Sequence, residues 1–220
     1  MEREKVIIFG CKDLAELAWF YLTQDSNYEV IGFTLHEQYR DEPSFHGLPV
    51  YSFESLNESF SPAEVKLFAP MTAKGMNKQR ENVYKEGKDK GYSFISYVSS
   101  KATVFPGTQF GENCFILENN TIQPFTTIGN NVVMWSGNHI GHHGKIDDHV
   151  FFTSHVVLSG HCHVKPYCFF GVNATIRDAL VLEEGTFVAM AACVTKSTEA
   201  WGTYLGNPAK KAAKSSYDVY

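Results

Sequence analysis

Seven of the nine histidines fall between His139 and His163. Imidazole has a pKa of about 6.5, so such a run offers either proton transfer at neutral pH or ligation of a transition metal. Four of them, His143, His149, His155 and His161, are spaced by six. The five cysteines, Cys11, Cys114, Cys162, Cys168 and Cys193, are odd in number and have no paired spacing. That pattern speaks for reduced thiols and against a disulfide framework. Near the start, Phe9-Gly10-Cys11-Lys12-Asp13-Leu14 stands where a dinucleotide fold carries its glycine-rich turn, with only the first glycine in place. A nicotinamide or flavin site is therefore not expected, although free amides at a following helix start can hold a phosphate. The plainer reading of the same turn makes Asp13 a helix N-cap.

The elements that position these residues are legible in a period. Every sixth residue from Val98 through Phe110, Ile122, Met134, Ile146, Leu158, Phe170 and Leu182 to Val194 is apolar, without a break. At 44% hydrophobic residues, such a run arises by chance on the order of once in a million trials. The residue four places further on is mostly small, from Ala102, Thr108 and Cys114 to Ala192 and Thr198. A helix repeats every 3.6 residues and a half-buried strand every two. Period six fits short flat strands joined by tight corners. Three units then close one coil, and residues 18 apart stack about 4.8 Å from each other as parallel strands. On this geometry Cys114, Cys162 and Cys168 face inward, and Asn120 and Asn138 form a small internal amide ladder. Neighbours in the six-spaced histidine list point in different directions, and only pairs such as His143 and His161 stack. Crowding in sequence is thus not crowding in space, and no metal is expected.

Before Val98 the pattern changes. Lys5–Gly10, Glu29–Phe33, Val65–Ala69 and Gly91–Ile95 read as strands. Leu14, Leu17, Ala18 and Tyr21 mark one face of a helix, and residues 75–90 a second helix. Strands alternating with helices imply a small open α/β sheet, which binds ligands at the carboxyl ends of its strands. Those ends are Gly10–Asp13, Thr34–Glu37 and Pro70–Thr72. The division expected is an α/β Rossmann-like domain over 1–96, a parallel β-helix of hexapeptide repeats over 97–200, and a C-terminal turn and tail over 201–220.

The net charge of −5, with no basic run beyond Lys210, Lys211 and Lys214, gives no reason to expect nucleic acid as a partner. The opening Glu2, Arg3, Glu4 and Lys5 followed by a short apolar run read as a first strand and not a secretion signal. No stretch is long enough to insert into a membrane. A cytoplasmic protein is expected.

Taken together, VIIFG at 6–10, EVIGF at 29–33, HGLPV at 46–50, IGHHGKI at 140–146, GVNATIRD at 171–178 and GNPAK at 206–210 resemble the bacterial sugar acyltransferases related to bacillosamine and perosamine N-acetyltransferases and sialic-acid O-acetyltransferases. The resemblance covers about residues 5–211. It implies a left-handed β-helix, a homotrimer, acetyl-CoA as co-substrate and a nucleotide-linked amino sugar as acceptor. The family's habit points to UDP- or dTDP-linked 4-amino-4,6-dideoxy sugars used for surface glycans such as O-antigen. By the same resemblance the catalytic histidine follows an Ile-x-His pattern, here Ile140-Gly141-His142. Many relatives have an acidic residue next, where this chain has His143, so the orienting partner of His142 departs from the pattern. The resemblance also implies that the backbone N–H of Gly160 stabilises an oxyanion. Val172, Asn173, Met190, Ala191, Gly206, Pro208 and Lys210, with His155 beside them, would line the coenzyme. Gly10, Cys11, Lys12, Asp13, Thr34 and Met71 would hold the nucleotide sugar. The alternatives are a sugar O-acetyltransferase of the same fold and a zinc-dependent hydratase.

Overall fold

The computed structural model describes residues 3–220. Met1 and Glu2, the start of the expected first domain, lie outside the described residues. The chain opens with β1 (Glu4–Phe9), whose Val6, Ile7, Ile8 and Phe9 are all buried, as befits a parallel strand covered on both faces. Helix α1 (Asp13–Gln24) follows, then β2 (Tyr28–Leu35), β3 (Ser44–Phe45), β4 (Leu48–Ser52), the single turn α2 (Leu56–Ser59), β5 (Lys66–Phe68) and α3 (Lys78–Asp89). The sheet runs β3-β4-β2-β1-β5 and is parallel except for the β3–β4 hairpin. The expected strand at Gly91–Ile95 shrinks to one bridge, Leu67 to Phe94. Helix α1 buries Ala15, Ala18 and Leu22, so of the expected stripe only Ala18 is fully inside. Leu14 and Tyr21 are half-buried against the same cluster.

From Tyr97 onward the chain winds as a three-sided prism. Face I begins with Tyr97–Val98, face II with Thr103–Val104 and face III with Gln109–Phe110, and each later two-residue strand lies one coil further along in parallel register. Faces II and III hold six and five strands, and face I holds eight. The six-residue positions from Ile116 to Val194 are buried, as are the small positions from Cys114 to Thr198. Val98, Val104 and Phe110 are half-buried, because no coil covers the first turn. Within the core, Phe152 stacks on Phe170 with centroids 4.5 Å apart. The ladder of Asn120 and Asn138 runs through the backbone and not amide to amide. Asn120 Oδ1 accepts from the Asn138 N–H at 3.2 Å, and Asn138 Oδ1 from the Val156 N–H at 2.8 Å. The tail extends face I, with Gly202–Leu205 parallel to Phe187–Val188 and Lys210–Ser215 antiparallel beyond it.

Face I carries the α/β domain. Because successive strand side chains alternate, Phe151 and Phe169 point out while Phe152 and Phe170 point in. Phe115, Val133, Phe151 and Phe169 are buried in one cluster with Val6, Ile8, Ala18, Leu22 and Phe68. Arg80 is wholly buried in this seam. It donates to Asn131 Oδ1 (3.1 Å), Asn131 O (3.1 Å), Asn77 Oδ1 (3.0 Å), Thr72 O (3.2 Å) and Met71 O (3.3 Å). Burial pulls its pKa down to about 9, so at neutral pH it remains a cation solvated by neutral oxygens. At the far end of α1, Asp25 accepts from Tyr97 Oη (2.7 Å), Ser99 Oγ (3.2 Å) and the Ser100 N–H (2.9 Å), which ties the helix to the first coil.

Candidate active site

The corners of the prism explain the six-spaced histidines. Every sixth residue from Gly107 to Ala191 has a positive φ, among them Asn113, Asn131, His143 (φ +56°), His149, His155 and His161 (φ +60°). Asn, Gly and His tolerate this left-handed conformation better than most residues. The histidine spacing is therefore first a backbone requirement, and it is a second period-six signal in the sequence.

Three edges distribute these corners. The edge between faces III and I holds Asn131 and His149 and lies under α3. There Asn131 Nδ2 donates to His149 Nδ1 at 2.8 Å, leaving Nε2 3.7 Å from Glu81 Oε1. Burial holds this imidazole below its ordinary pKa, so it is a structural histidine. The edge between faces I and II gathers much of the expected coenzyme set. Val172, Asn173, Met190 and Ala191 are exposed there on consecutive coils, with Ala191 N–H donating to Val172 O at 2.8 Å. The turn carrying Gly206 and Pro208 sits beyond them, held where the Cys193 N–H donates to Gly206 O (3.0 Å) and the Ala209 N–H to Cys193 O (2.7 Å). Lys210 follows this turn with its side chain exposed.

The edge between faces II and III holds His142, His143 and Gly160. His142 and His143 are exposed, and their Nδ1 atoms are 3.0 Å apart, so one ring donates to the other. His143 lies between Phe125, tilted at 4.7 Å, and His161, stacked at 4.9 Å, residues 18 before and after it. The His142 N–H is held by Gln123 Oε1 at 3.0 Å. One coil further on, the place of Gln123 is taken by Gly141, which has no side chain to accept. Among the described residues nothing accepts the Gly160 N–H. A Cβ on Gly141 would lie 2.4 Å from Gly160 N, and a Cβ on Gly160 would lie 3.0 Å from His142 Nε2 and Cε1. The two glycines thus open a bare N–H directly beside an imidazole. Gly141 was not among the expected site residues. The signal that marks it is a glycine at a strand-exit position one coil from a glutamine.

In the α/β domain the carboxyl ends of β1, β2 and β5 share one edge of the sheet, bringing Gly10, Cys11, Lys12, Asp13 and Met71 to it. The N-cap of α1 is Lys12 and not Asp13, and no side chain caps the helix, which leaves its first amides for a ligand. Thr34 departs from expectation. It is fully buried, its hydroxyl donates to Tyr51 O at 3.1 Å and its carbonyl accepts from the Gly10 N–H at 2.9 Å. Its side chain fastens strands together and does not face a ligand. Burial pushes the thiols of Cys11 and Cys114 up to about 11 and that of Cys168 to about 12, which disfavours the thiolate at these three.

Comparison with known proteins agrees with this architecture. The bacterial transferase hexapeptide family (six repeats) matches residues 107–142. The acetyltransferase domain of PglB from Neisseria gonorrhoeae FA1090, also solved in complex with acetyl coenzyme A, superposes with a TM-score of 0.84 at 19% identity, over 96% of this chain and 100% of that one. PerB from Caulobacter crescentus, in complex with CoA and GDP-perosamine, gives 0.82 at 20% identity over 95% and 97%. WeeI from Acinetobacter baumannii AYE gives 0.78 at 18% identity over 95% and 100%. Among curated proteins, the acyl-[acyl-carrier-protein]–UDP-N-acetylglucosamine O-acyltransferase of Pseudomonas aeruginosa (strain LESB58) is 28% identical over 85 residues, 39% of this chain. The chain spans about a third of the length of that relative, 33%. The fold is a left-handed parallel β-helix of hexapeptide repeats with an α/β domain in front. It is the two-domain fold that PglB, PerB and WeeI share.

Proposed function

We propose that the chain is an N-acetyltransferase that moves the acetyl group of acetyl-CoA to the amine of a nucleotide-linked amino sugar. The observation that carries this reading is the bare Gly160 N–H beside the His142 imidazole, on an edge kept open by Gly141. A base and an oxyanion donor on the same open edge are what attack on a thioester needs. With His142 Nδ1–H donating to His143 Nδ1, Nε2 of His142 keeps its lone pair and points toward Gly160. The sugar amine attacks the thioester carbonyl, and its proton passes to Nε2. The carbonyl oxygen, now negative, takes the Gly160 N–H, a donor worth roughly 3 kcal/mol. The tetrahedral intermediate collapses, the C–S bond breaks, and the imidazolium returns the proton to the coenzyme A thiolate. His143 replaces the acidic residue of many relatives as the group orienting His142.

The α/β domain sits on face I, and the His142 edge is the one opposite that face. One chain therefore cannot bring its own nucleotide pocket to its own imidazole, and the coenzyme residues lie on yet another edge. We infer a homotrimer in which the II/III edge of one subunit meets the I/II edge of the next. The exposed Met190, Val172 and Phe125 on those edges are the apolar surface such an interface would cover. The uncapped α1 start and Gly10 would take the diphosphate, with the acceptor a 4-amino-4,6-dideoxy sugar linked to UDP or dTDP. The five unpaired thiols and the coenzyme fit a cytoplasmic enzyme of surface-glycan synthesis. The likeness to an O-acyltransferase supports a second reading, transfer to a sugar hydroxyl by the same groups.

The test is a thermal-shift panel of coenzyme A, UDP, dTDP and GDP, followed by acetyl-CoA-dependent acetylation of the matching nucleotide amino sugars, read by mass spectrometry. Stabilisation by coenzyme A and an amide product are expected. An ester product establishes the second reading instead, and no response to coenzyme A with no product refutes both.

A further inference from the structure

We propose that the II/III edge is also a transition-metal site, at which His142, His143 and His161 together bind one zinc-class divalent ion that silences the edge. The silencing rests on the acyl-transfer reading above, because an ion on Nδ1 of His142 shifts the ring proton to Nε2, the atom that must accept the amine proton; the binding does not.

Spacing by 18 stacks only His143 on His161. The structure adds the third ring. His142 turns onto the same edge and meets both neighbours edge-on, at 5.1 Å from His143 and 4.9 Å from His161. One ring nitrogen from each of the three lies within 4.8 Å of the others, and the Nδ1 atoms of His142 and His143 are 3.0 Å apart. Three nitrogens on a tetrahedral zinc at 2.0–2.1 Å stand about 3.3 Å from each other. The Nδ1 pair opens slightly and the third ring closes slightly, by rotation of exposed side chains on a fixed backbone. The left-handed corners on successive coils bring His143 and His161 onto the same edge; their rings stack 15° from parallel, so both planes turn toward the ion when it binds.

Two further features suit this trio to ligation. Among the described residues His36, His46, His149 and His163 each lie against a carboxylate, whereas His142, His143 and His161 have no acidic partner. Their rings are therefore not committed elsewhere. All three are exposed in the single chain, and three protein ligands leave the ion's fourth position to water. Three neutral imidazoles suit zinc, copper or nickel and do not suit magnesium, which demands oxygen ligands.

The experiment titrates Zn2+ into the metal-stripped full chain against a chromophoric chelator, with Mg2+ as control and His161→Ala in parallel. The wild type is expected to bind one Zn2+ per chain and no Mg2+, and His161→Ala to bind at least about 10-fold more weakly. Zn2+ should inhibit acetyl transfer reversibly in the wild type. Metal-free His161→Ala should keep its activity and resist the ion. A wild type that binds no Zn2+, or a His161→Ala that binds it equally well, overturns the site. Zn2+ bound at these rings without loss of transfer overturns the silencing. A site that binds as expected in a chain with no transfer activity supports the metal site and sinks the acyl-transfer reading.

Discussion

Replacing Gly160 by Ala separates catalysis from stability. The backbone of Gly160 is not in the left-handed region, so alanine is conformationally acceptable there. The new Cβ would stand 3.0 Å from His142 Nε2 and Cε1 and 3.2 Å from His142 O. The imidazole is the exposed, movable partner, so the ring turns aside by a few tenths of an ångström to an ångström and the coil stays intact. In the unfolded chain, alanine loses less freedom than glycine on folding, a gain of about 0.4–1 kcal/mol that offsets the local crowding. The thermal midpoint should therefore stay where it is or rise slightly. Catalysis should not survive as well, because a catalytic group displaced by about 1 Å costs about 100-fold in rate, and the methyl also crowds the approach to the N–H. The assay is release of the coenzyme A thiol during acetyl transfer, with KM for acetyl-CoA read alongside kcat and Tm from calorimetry. An unchanged kcat with an unchanged Tm would refute the pairing of His142 with Gly160 as the reacting centre.

Other outcomes follow from the same contacts. His142→Ala should lower kcat by about 100- to 10,000-fold, as loss of a general base does, while KM for the nucleotide sugar holds; a normal kcat contradicts the role. Gly141→Ala places a Cβ 2.4 Å from Gly160 N, and that is backbone which cannot step aside. It should cost about 1–3 kcal/mol in urea unfolding as well as activity. Arg80→Met leaves the carbonyls of Met71, Thr72 and Asn131 buried without donors, so a loss of about 3 kcal/mol or more is expected, and a loss under about 1 kcal/mol would show that water replaces the guanidinium. For Asp25, hydrogen bonds from Ser100 and then Tyr97 hold the folded carboxyl down to about 2, below the unfolded value of about 3.9. The unfolded chain then binds more protons between these values, so this stabilisation is present above about pH 4 and is lost as pH falls toward 2. Denaturant midpoints measured against pH should show that loss in the wild type and a flatter acid limb in Asp25→Asn.

The period of six by itself determined the solenoid, which residues fill its core and where its coils begin. Those facts depend only on spacing: a residue six places on is always one face further, and one 18 places on is always stacked. Strand-helix alternation likewise settled the class of the first domain, although the β3–β4 hairpin went unread because β3 has only two residues and β4 carries Pro49 just after the turn at Gly47. What side chains do at the corners needed the tertiary structure. Sequence separation cannot tell that Thr34 spends its hydroxyl on Tyr51, that Gly141 clears the N–H of a residue one coil away, or that His142 joins His143 and His161. Each depends on which atoms of two coils face each other across about 4.8 Å, a distance the backbone sets only once it has closed its turn.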